Sequence, residues 1–361
     1  MKKSSLLAAA ALGSVAVVLL AGCSNSGGEA SPSEGGDAGA GRACVILPDS
    51  ESSNRWEDLD RPYLQEGLEA AGFEVDIQNA QGDVNKYSTI ADQQLTKGCG
   101  VMLLVDYQKA AVGVAEKAKA EGIPVVAYDR PFDGADYYVS FDNEEVGRLE
   151  GQTVVDGLKA AGKDPATAAV FYMGGDPTDG NAAMFKSGAV EVMEGAGIAP
   201  AQEPPGIWDQ DKSATNFEQA LTANGGKVDA VWSANDANAA GVIGILQKNG
   251  LTGVPISGQD AQLAALQFIL TGWQTATVWK QVNLEADAAI EVAIALLNGE
   301  DYATDAELED GTPYVQVAPT LVGPDQVKDV VAAGDADQAE LCSGTIEGVN
   351  VADKCVEYGV Q

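Results

Sequence analysis

From residue 43 onward the chain alternates short, β-branched apolar runs with stretches of helical periodicity, and a glycine stands at most of the joints. Cys44-Val45-Ile46-Leu47 reads as a strand, followed by a helix over 59–71 that stops at Gly72. A strand over 73–77, a helix over 84–97 ending at Gly98, a strand over 101–105, a helix over 110–120 and a strand over 123–128 follow in the same rhythm. Each glycine falls where a helix C-terminus needs positive φ. Strand, helix, glycine, strand at this spacing predicts right-handed βαβ units and a parallel sheet covered on both faces.

A second series of the same kind begins after Tyr138-Val139-Ser140-Phe141. Its predicted strands are 168–173, 206–208, 228–233 and 254–257, with helices near 145–161, 182–196, 214–223 and 237–248. Trailing elements at 275–279, 284–297, 314–318 and 324–333 are read as returning to the first lobe and then to the second. The expected fold is α/β: two doubly wound parallel-sheet lobes joined by a hinge with several chain crossings. The expected division is a leader at 1–22, Cys23 with a tether to 42, a first lobe of 43–140 plus 281–312, and a second of 141–280 plus 313–361.

The first residues are an address rather than a fold. Lys2 and Lys3 precede an uncharged apolar run from Leu6 to Leu20, and Leu20-Ala21-Gly22-Cys23 sets small residues before a cysteine. This stretch resembles a bacterial lipoprotein lipobox, which implies cleavage before Cys23, lipidation of that residue and retention on the outer face of the cell membrane. Residues 24–42 hold six glycines and four serines in 19 positions, so they cannot bury a core. A coil of that composition spans about 24 Å.

Charge and composition narrow the partners. The chain has 21 Lys and Arg against 54 Asp and Glu and no histidine, a formal charge of −33. That field repels nucleic acid and anionic lipid head groups. Without an imidazole there is no Ser-His-Asp triad, Cys-His pair or HExxH zinc site. No cofactor or resident metal is expected, and the acidic stretch Asp301, Asp305, Glu307, Glu309, Asp310, Gly311 lacks the ligand spacing of a calcium loop. With Cys23 lipidated, four cysteines remain. Cys44 opens the first strand and Cys99 stands just before the third, its neighbour in such a sheet, so the expected disulfides are Cys44–Cys99 and Cys342–Cys355.

In open α/β sheets ligands bind beyond the carboxyl ends of the strands. Those positions carry Asn54-Arg55-Trp56, Asp129-Arg130, Asp142-Asn143, Asp179-Gly180-Asn181, Trp208, Asn235-Asp236, Gln259-Asp260 and Lys280. Planar polar groups with two tryptophans suit a sugar, whose adjacent hydroxyls take paired hydrogen bonds and whose C–H face takes an indole. Asn143 and Asp236 are equally candidates for the N-caps of the helices that follow.

Arg55-Trp56, Ala127-Tyr128-Asp129-Arg130, Ser140-Phe141-Asp142-Asn143, Met173-Gly174-Gly175-Asp176-Pro177, Leu221-Thr222-Ala223-Asn224, Ser233-Ala234-Asn235-Asp236 and Ser257-Gly258-Gln259-Asp260 occur in unbroken order. Together they resemble the xylose-binding branch of the periplasmic sugar-binding proteins, over about residues 44–335. The resemblance implies a type I periplasmic-binding fold and delivery of a neutral monosaccharide, xylose ahead of glucose or galactose, to the permease subunits of an ABC importer. By position it implies a pocket of Arg55, Trp56, Asp129, Arg130, Asn143, Asn181, Trp208, Asn235, Asp236, Asp260 and Lys280. A monomer is expected. The alternatives are a sugar sensor for a membrane kinase and a secreted carbohydrate-active enzyme. The C-terminal 20 residues depart from the family pattern and receive no role.

Overall fold

The computed structural model describes residues 41–50, 52, 53, 55–304 and 306–360. The leader, Cys23 and the tether through residue 40, together with Asn54 and Asp305, lie outside the described residues. Arg42, expected in the tether, already pairs with the second strand.

The first lobe is built from β1 (Arg42–Leu47), α1 (Arg61–Ala70), β2 (Glu74–Asn79), α2 (Val84–Lys97), β3 (Val101–Leu104), α3 (Ala110–Ala120), β4 (Val125–Tyr128) and β5 (Tyr137–Phe141). The second is built from α4 (Asn143–Ala160), β6 (Val170–Met173), α5 (Gly180–Gly195), β7 (Pro200–Gln202), α6 (Gln210–Ala223), β8 (Ala230–Ser233), α7 (Asp236–Lys248), α8 (Leu263–Thr271) and β9 (Thr277–Trp279). The chain then returns through α9 (Val282–Leu297), β10 (Ala306–Glu307), β11 (Pro313–Val317), β12 (Thr320–Val322) and α10 (Val327–Ala333).

The first sheet runs β10-β11-β5-β4-β3-β1-β2, parallel except for β10 against β11. Every residue of β3, β4 and β5 is buried, as expected of strands covered on both faces. Here the expected boundary at 312 is corrected. β11 pairs with β5, because Tyr314 buries its ring on Tyr138 and donates from its hydroxyl to the Phe141 carbonyl, which keeps residues 313–317 in the first lobe.

The second sheet has the order β7-β6-β8, and single bridges at Val231–Ile256 and Gln259–Val278 carry it on to β9 and β12. Two expected strands are therefore absent as strands. Pro204 and Pro205 lack the N–H a ladder needs, so pairing stops at β7 and 206–208 becomes a loop. Pro255 likewise reduces 254–257 to one bridge. Chain crossings between the sheets occur at 141–143, 279–282 and 317–320.

Both disulfides form as expected: Cys44–Cys99 ties β1 to the approach to β3, and Cys342–Cys355 closes the tail. That tail is packed rather than loose. Leu341, Val351, Cys355 and Val360 cover Leu266, Ile269 and Leu270 of α8, while the Gln267 amide donates to the Leu341 carbonyl at 3.0 Å. Among the described residues no helix is long and apolar enough to cross a membrane.

The tightest packing lies between α4 and α5. A Cβ on Gly147 would stand 2.0 Å from the Phe185 carbonyl oxygen, and one on Gly188 would stand 2.0 Å from that of Glu144. The helices therefore cross backbone to backbone. Gly188→Ala gains helix propensity of under about 1 kcal/mol but forces the helices apart. We expect a net loss of about 1–3 kcal/mol, the cost of overpacking. Urea unfolding of the variant beside the parent measures it, and an unchanged midpoint would contradict the close crossing.

Candidate functional site

The first-lobe wall is organised around Arg55. Pro62 has no N–H for the carbonyl four residues back, and the turn before it, Trp56–Asp60, widens to a π turn in which Arg61 N–H reaches the Trp56 carbonyl. The five-residue stagger stacks Arg55 over Asp60, whose carboxylate takes Nε at 2.8 Å and Nη2 at 2.7 Å. Nη1 reaches Asp129 at 2.9 Å, and Nη2 also bonds Glu285 of α9. Tyr128 Oη donates to Asp60 at 2.5 Å. Burial alone would lower the Arg55 pKa, but the three carboxylates raise it well above its ordinary value. For Glu285 burial outweighs Arg55 and pushes the carboxyl well above the usual range.

Asp129 resists the same pressure. Burial works to raise its pKa, yet Arg55, Lys280 and Arg130 bring it below the ordinary value, so it faces the cleft as a carboxylate. Its backbone sits at φ 62°, a left-handed conformation that Asp tolerates better than most side chains. Bonds from its N–H to the Val139 carbonyl and from Arg130 N–H to the Tyr128 carbonyl hold it there. Asp260, across the cleft, has φ 97°. Two left-handed aspartates facing one cleft fit the clustering of backbone strain at functional sites. Trp56 lies between guanidiniums, with Arg55 at 4.7 Å and Arg130 at 5.3 Å from the ring centre, and donates from Nε1 to Ser52 at 3.1 Å.

The second lobe supplies the opposite wall. Asp179 caps α5 and meets Arg130 Nε at 3.2 Å across the cleft. Trp208 donates from Nε1 to the same carboxylate at 3.1 Å and lies flat on Gly175, where any Cβ would fall 2.0 Å from the indole. Asn181 donates to the Asp129 carbonyl at 2.7 Å and accepts from Tyr138 Oη at 2.7 Å. Lys280 pairs with Asp260 at 3.0 Å. Burial would lower the Lys280 pKa, but Asp260 and Asp129 carry it above its ordinary value.

Nine of the eleven expected residues line one cavity of about 30 Å³: Arg55, Trp56, Asp129, Arg130, Asn181, Trp208, Asn235, Asp260 and Lys280. Asn143 and Asp236 do not, and the capping expectation is corrected with them. Asp142 and Asn235 are the caps, accepting from Glu145 N–H and Asn238 N–H, which makes Asn143 and Asp236 the first helical residues, buried beneath the site. Asn143 there donates to Tyr138 Oη at 2.8 Å. Sequence reasoning left out Ser52, Ser53, Asp179, Phe185 and Gln259, which also line the cavity. Asp179 and Gln259 stood in the strand-end groups already singled out; an isolated serine or a helical phenylalanine carries no signal of its own.

Residues 44–301 match the periplasmic binding protein domain. The chain belongs to the periplasmic binding protein family. Among similar relatives of this periplasmic binding protein, the D-xylose-binding periplasmic protein of Escherichia coli strain K12 is 36% identical over 300 residues, covering 80% of this chain and 88% of its own. The Haemophilus influenzae protein of the same description is 38% identical over 270 residues, covering 72% and 79%. Among solved structures, a carbohydrate transporter solute binding protein from Chloroflexus aurantiacus, in complex with D-glucose, superposes with a TM-score of 0.73 at 25% identity, covering 82% of this chain and 97% of that one.

Beneath the second wall of this binding protein, Asp236 accepts from Gln274 at 2.7 Å, Thr277 at 2.9 Å and the Gln262 N–H at 3.0 Å. Burial, reinforced by Asp260, still pushes its pKa up to about 8. The folded protein therefore holds a proton that the unfolded chain releases near its ordinary carboxylate pKa. Below that value the two states are protonated alike and the contribution is fully present; it is lost as pH rises toward 8, at up to about 1.4 kcal/mol per pH unit. Asp236→Asn, which cannot ionise, should flatten this fall in unfolding free energy between about pH 5 and pH 8. Urea titrations of both proteins across that range measure it, and parallel slopes would show that Asp236 does not titrate there.

Proposed function

We propose that this chain is an extracytoplasmic receptor, held to the cell membrane through a lipid on Cys23, that captures a neutral aldopyranose and delivers it to the permease of an ABC importer. D-xylose is the first candidate, with glucose and galactose next. The observation that carries the reading is the convergence of strand ends from both lobes on a single cavity lined by two tryptophans, three aspartates, two asparagines and three cations. Such groups give paired, charge-assisted hydrogen bonds to adjacent hydroxyls while an indole covers the ring. The D-xylose-binding relatives and the D-glucose-bound solved structure agree in ligand class. Binding rather than turnover is part of the proposal.

The mechanism follows from closure. A cavity of about 30 Å³ offers about the share of one liquid water, so a pyranose needs the lobes to part before it can enter. On closing, sugar hydroxyls exchange with the present cross-cleft partners, chiefly Arg130 with Asp179 and Asn181 with the Asp129 carbonyl. A ligand that touches both walls binds the closed arrangement better than the open one and shifts the population toward it. The permease then reads the closed form.

Calorimetric titration against pentoses and hexoses tests the ligand class, and failure of every neutral monosaccharide at millimolar concentration would remove the receptor reading. Arg130→Lys keeps the charge but loses the planar fork that spans Ser52, the Asp106 carbonyl and Asp179. Its affinity for the sugar should drop by about 1.5–3 kcal/mol. Circular dichroism should show a native fold, and parent-like affinity would take Arg130 out of the site.

A further inference from the structure

Beside the inner cavity lies a second compartment more than ten times larger, of about 360 Å³. It shares Ser52, Arg130, Asp179 and Trp208 with the first as a common wall. Its size falls within the roughly 300–1,000 Å³ of small-molecule sites. Both lobes build it: the loops after β1, β2 and β3 on one side, and those after β6 and before α6 on the other. A compartment of this kind is assembled only while the lobes stand together.

Its lining repeats the chemistry of the inner site. Tyr107 and Trp208 offer ring surface, while Gln81, Gln108, Asp176 and Thr178 offer amide, carboxylate and hydroxyl groups. Gln81 and Gln108 hold φ of 56° and 51°, the left-handed region where glycine is favoured. Strain of this sort, kept at two positions facing one compartment, is what functional sites accumulate. Five carboxylates line the space against two cations, so an anionic group such as a phosphate or a uronate is disfavoured. Trp208 stands in the wall common to both compartments, placed to serve two adjacent rings.

We infer that this vestibule is a second sugar subsite, so that the receptor accepts a neutral disaccharide or glycoside with one unit in the inner cavity and the next against Tyr107, Gln81 and Trp208. The inference rests on the monosaccharide reading above and extends it. The experiment is calorimetry with the aldopyranose that binds and with its α- and β-1,4-linked dimers, on the parent, Tyr107→Ala and Gln81→Gly. Gln81→Gly suits the local backbone, so it tests the side chain even if Tyr107→Ala folds poorly. One of the dimers should bind the parent at least as tightly as the monosaccharide. Tyr107→Ala should weaken that dimer by about tenfold, the order expected for a lost aromatic contact, and Gln81→Gly should weaken it by a few fold. Both should leave the monosaccharide within about twofold. A parent that binds the monosaccharide but neither dimer, or variants that alter both ligands equally or neither, would overturn the subsite while leaving the receptor reading intact. If no saccharide binds the parent, both readings fall.

Discussion

Arg55 is buried among three carboxylates that come from three separate parts of the chain: Asp60 from the π turn, Asp129 from the end of β4 and Glu285 from α9. A buried guanidinium without partners would be prohibitively costly, and so would three buried carboxylates without it. Each group is therefore tolerable only while the others stay in place. This mutual dependence fixes the turn that presents Trp56, the left-handed aspartate at the cleft and the first turn of the returning helix as one unit. Burial pushes Glu285 above the usual carboxyl range, whereas the cations around Asp129 hold it below that range, so Asp129 keeps the charge that faces the cleft.

The second lobe positions its wall by close packing. Glycines at 147, 151 and 188 let α4 and α5 approach backbone to backbone, which sets where the N-terminus of α5 points. Asp179 and Asn181 are carried there, opposite Arg130 and Asp129. Trp208 is aimed by a different device: it lies on Gly175, and Gly206 packs against the Gly175 carbonyl, where a Cβ would stand at 2.0 Å. The Met173-Gly174-Gly175 motif thus works through absent side chains, leaving room for an indole from a loop about thirty residues away.

These physical causes also explain what could be read from sequence. Helices such as 84–97 and 110–120 are legible to the residue, because Asp83 and Gly98 mark the ends of one and a stretch of alanines bounded by Gly122 marks the other. Strand ends converge by topology, so Arg55, Asp129, Arg130 and Asn181 could be placed at one cleft before any contact was known, whereas Trp208 reaches it from a loop where a strand over 206–208 was expected. Tertiary pairing was harder to see. Nothing local tells 313–317 to choose β5, since the choice depends on Tyr314 meeting Tyr138. Nor does a one-residue difference between cap and first helical position show in residue type, because Asp142-Asn143 and Asn235-Asp236 offer a good capping side chain at both places.

The cross-cleft bonds determine what affinity can mean in this molecule. Arg130 with Asp179, and Asn181 with the Asp129 carbonyl, already satisfy groups that a sugar would engage. Binding is then an exchange: the ligand contributes only the surplus of its contacts over those the lobes make with each other, and that surplus is small for each hydrogen bond. Shape must supply the discrimination, since a hydroxyl in the wrong place leaves a buried charged group unpaired, which costs more than a correct one gains. The paired aspartates, arginines and amides of both walls are therefore better suited to rejecting the wrong stereoisomer than to maximising affinity for the right one. The −33 charge bears on a separate step, attracting cationic surfaces and repelling anionic ones over roughly a Debye length, about 8 Å at physiological salt. Recognition inside the cleft and approach to a partner outside it are thus governed by different parts of the same sequence.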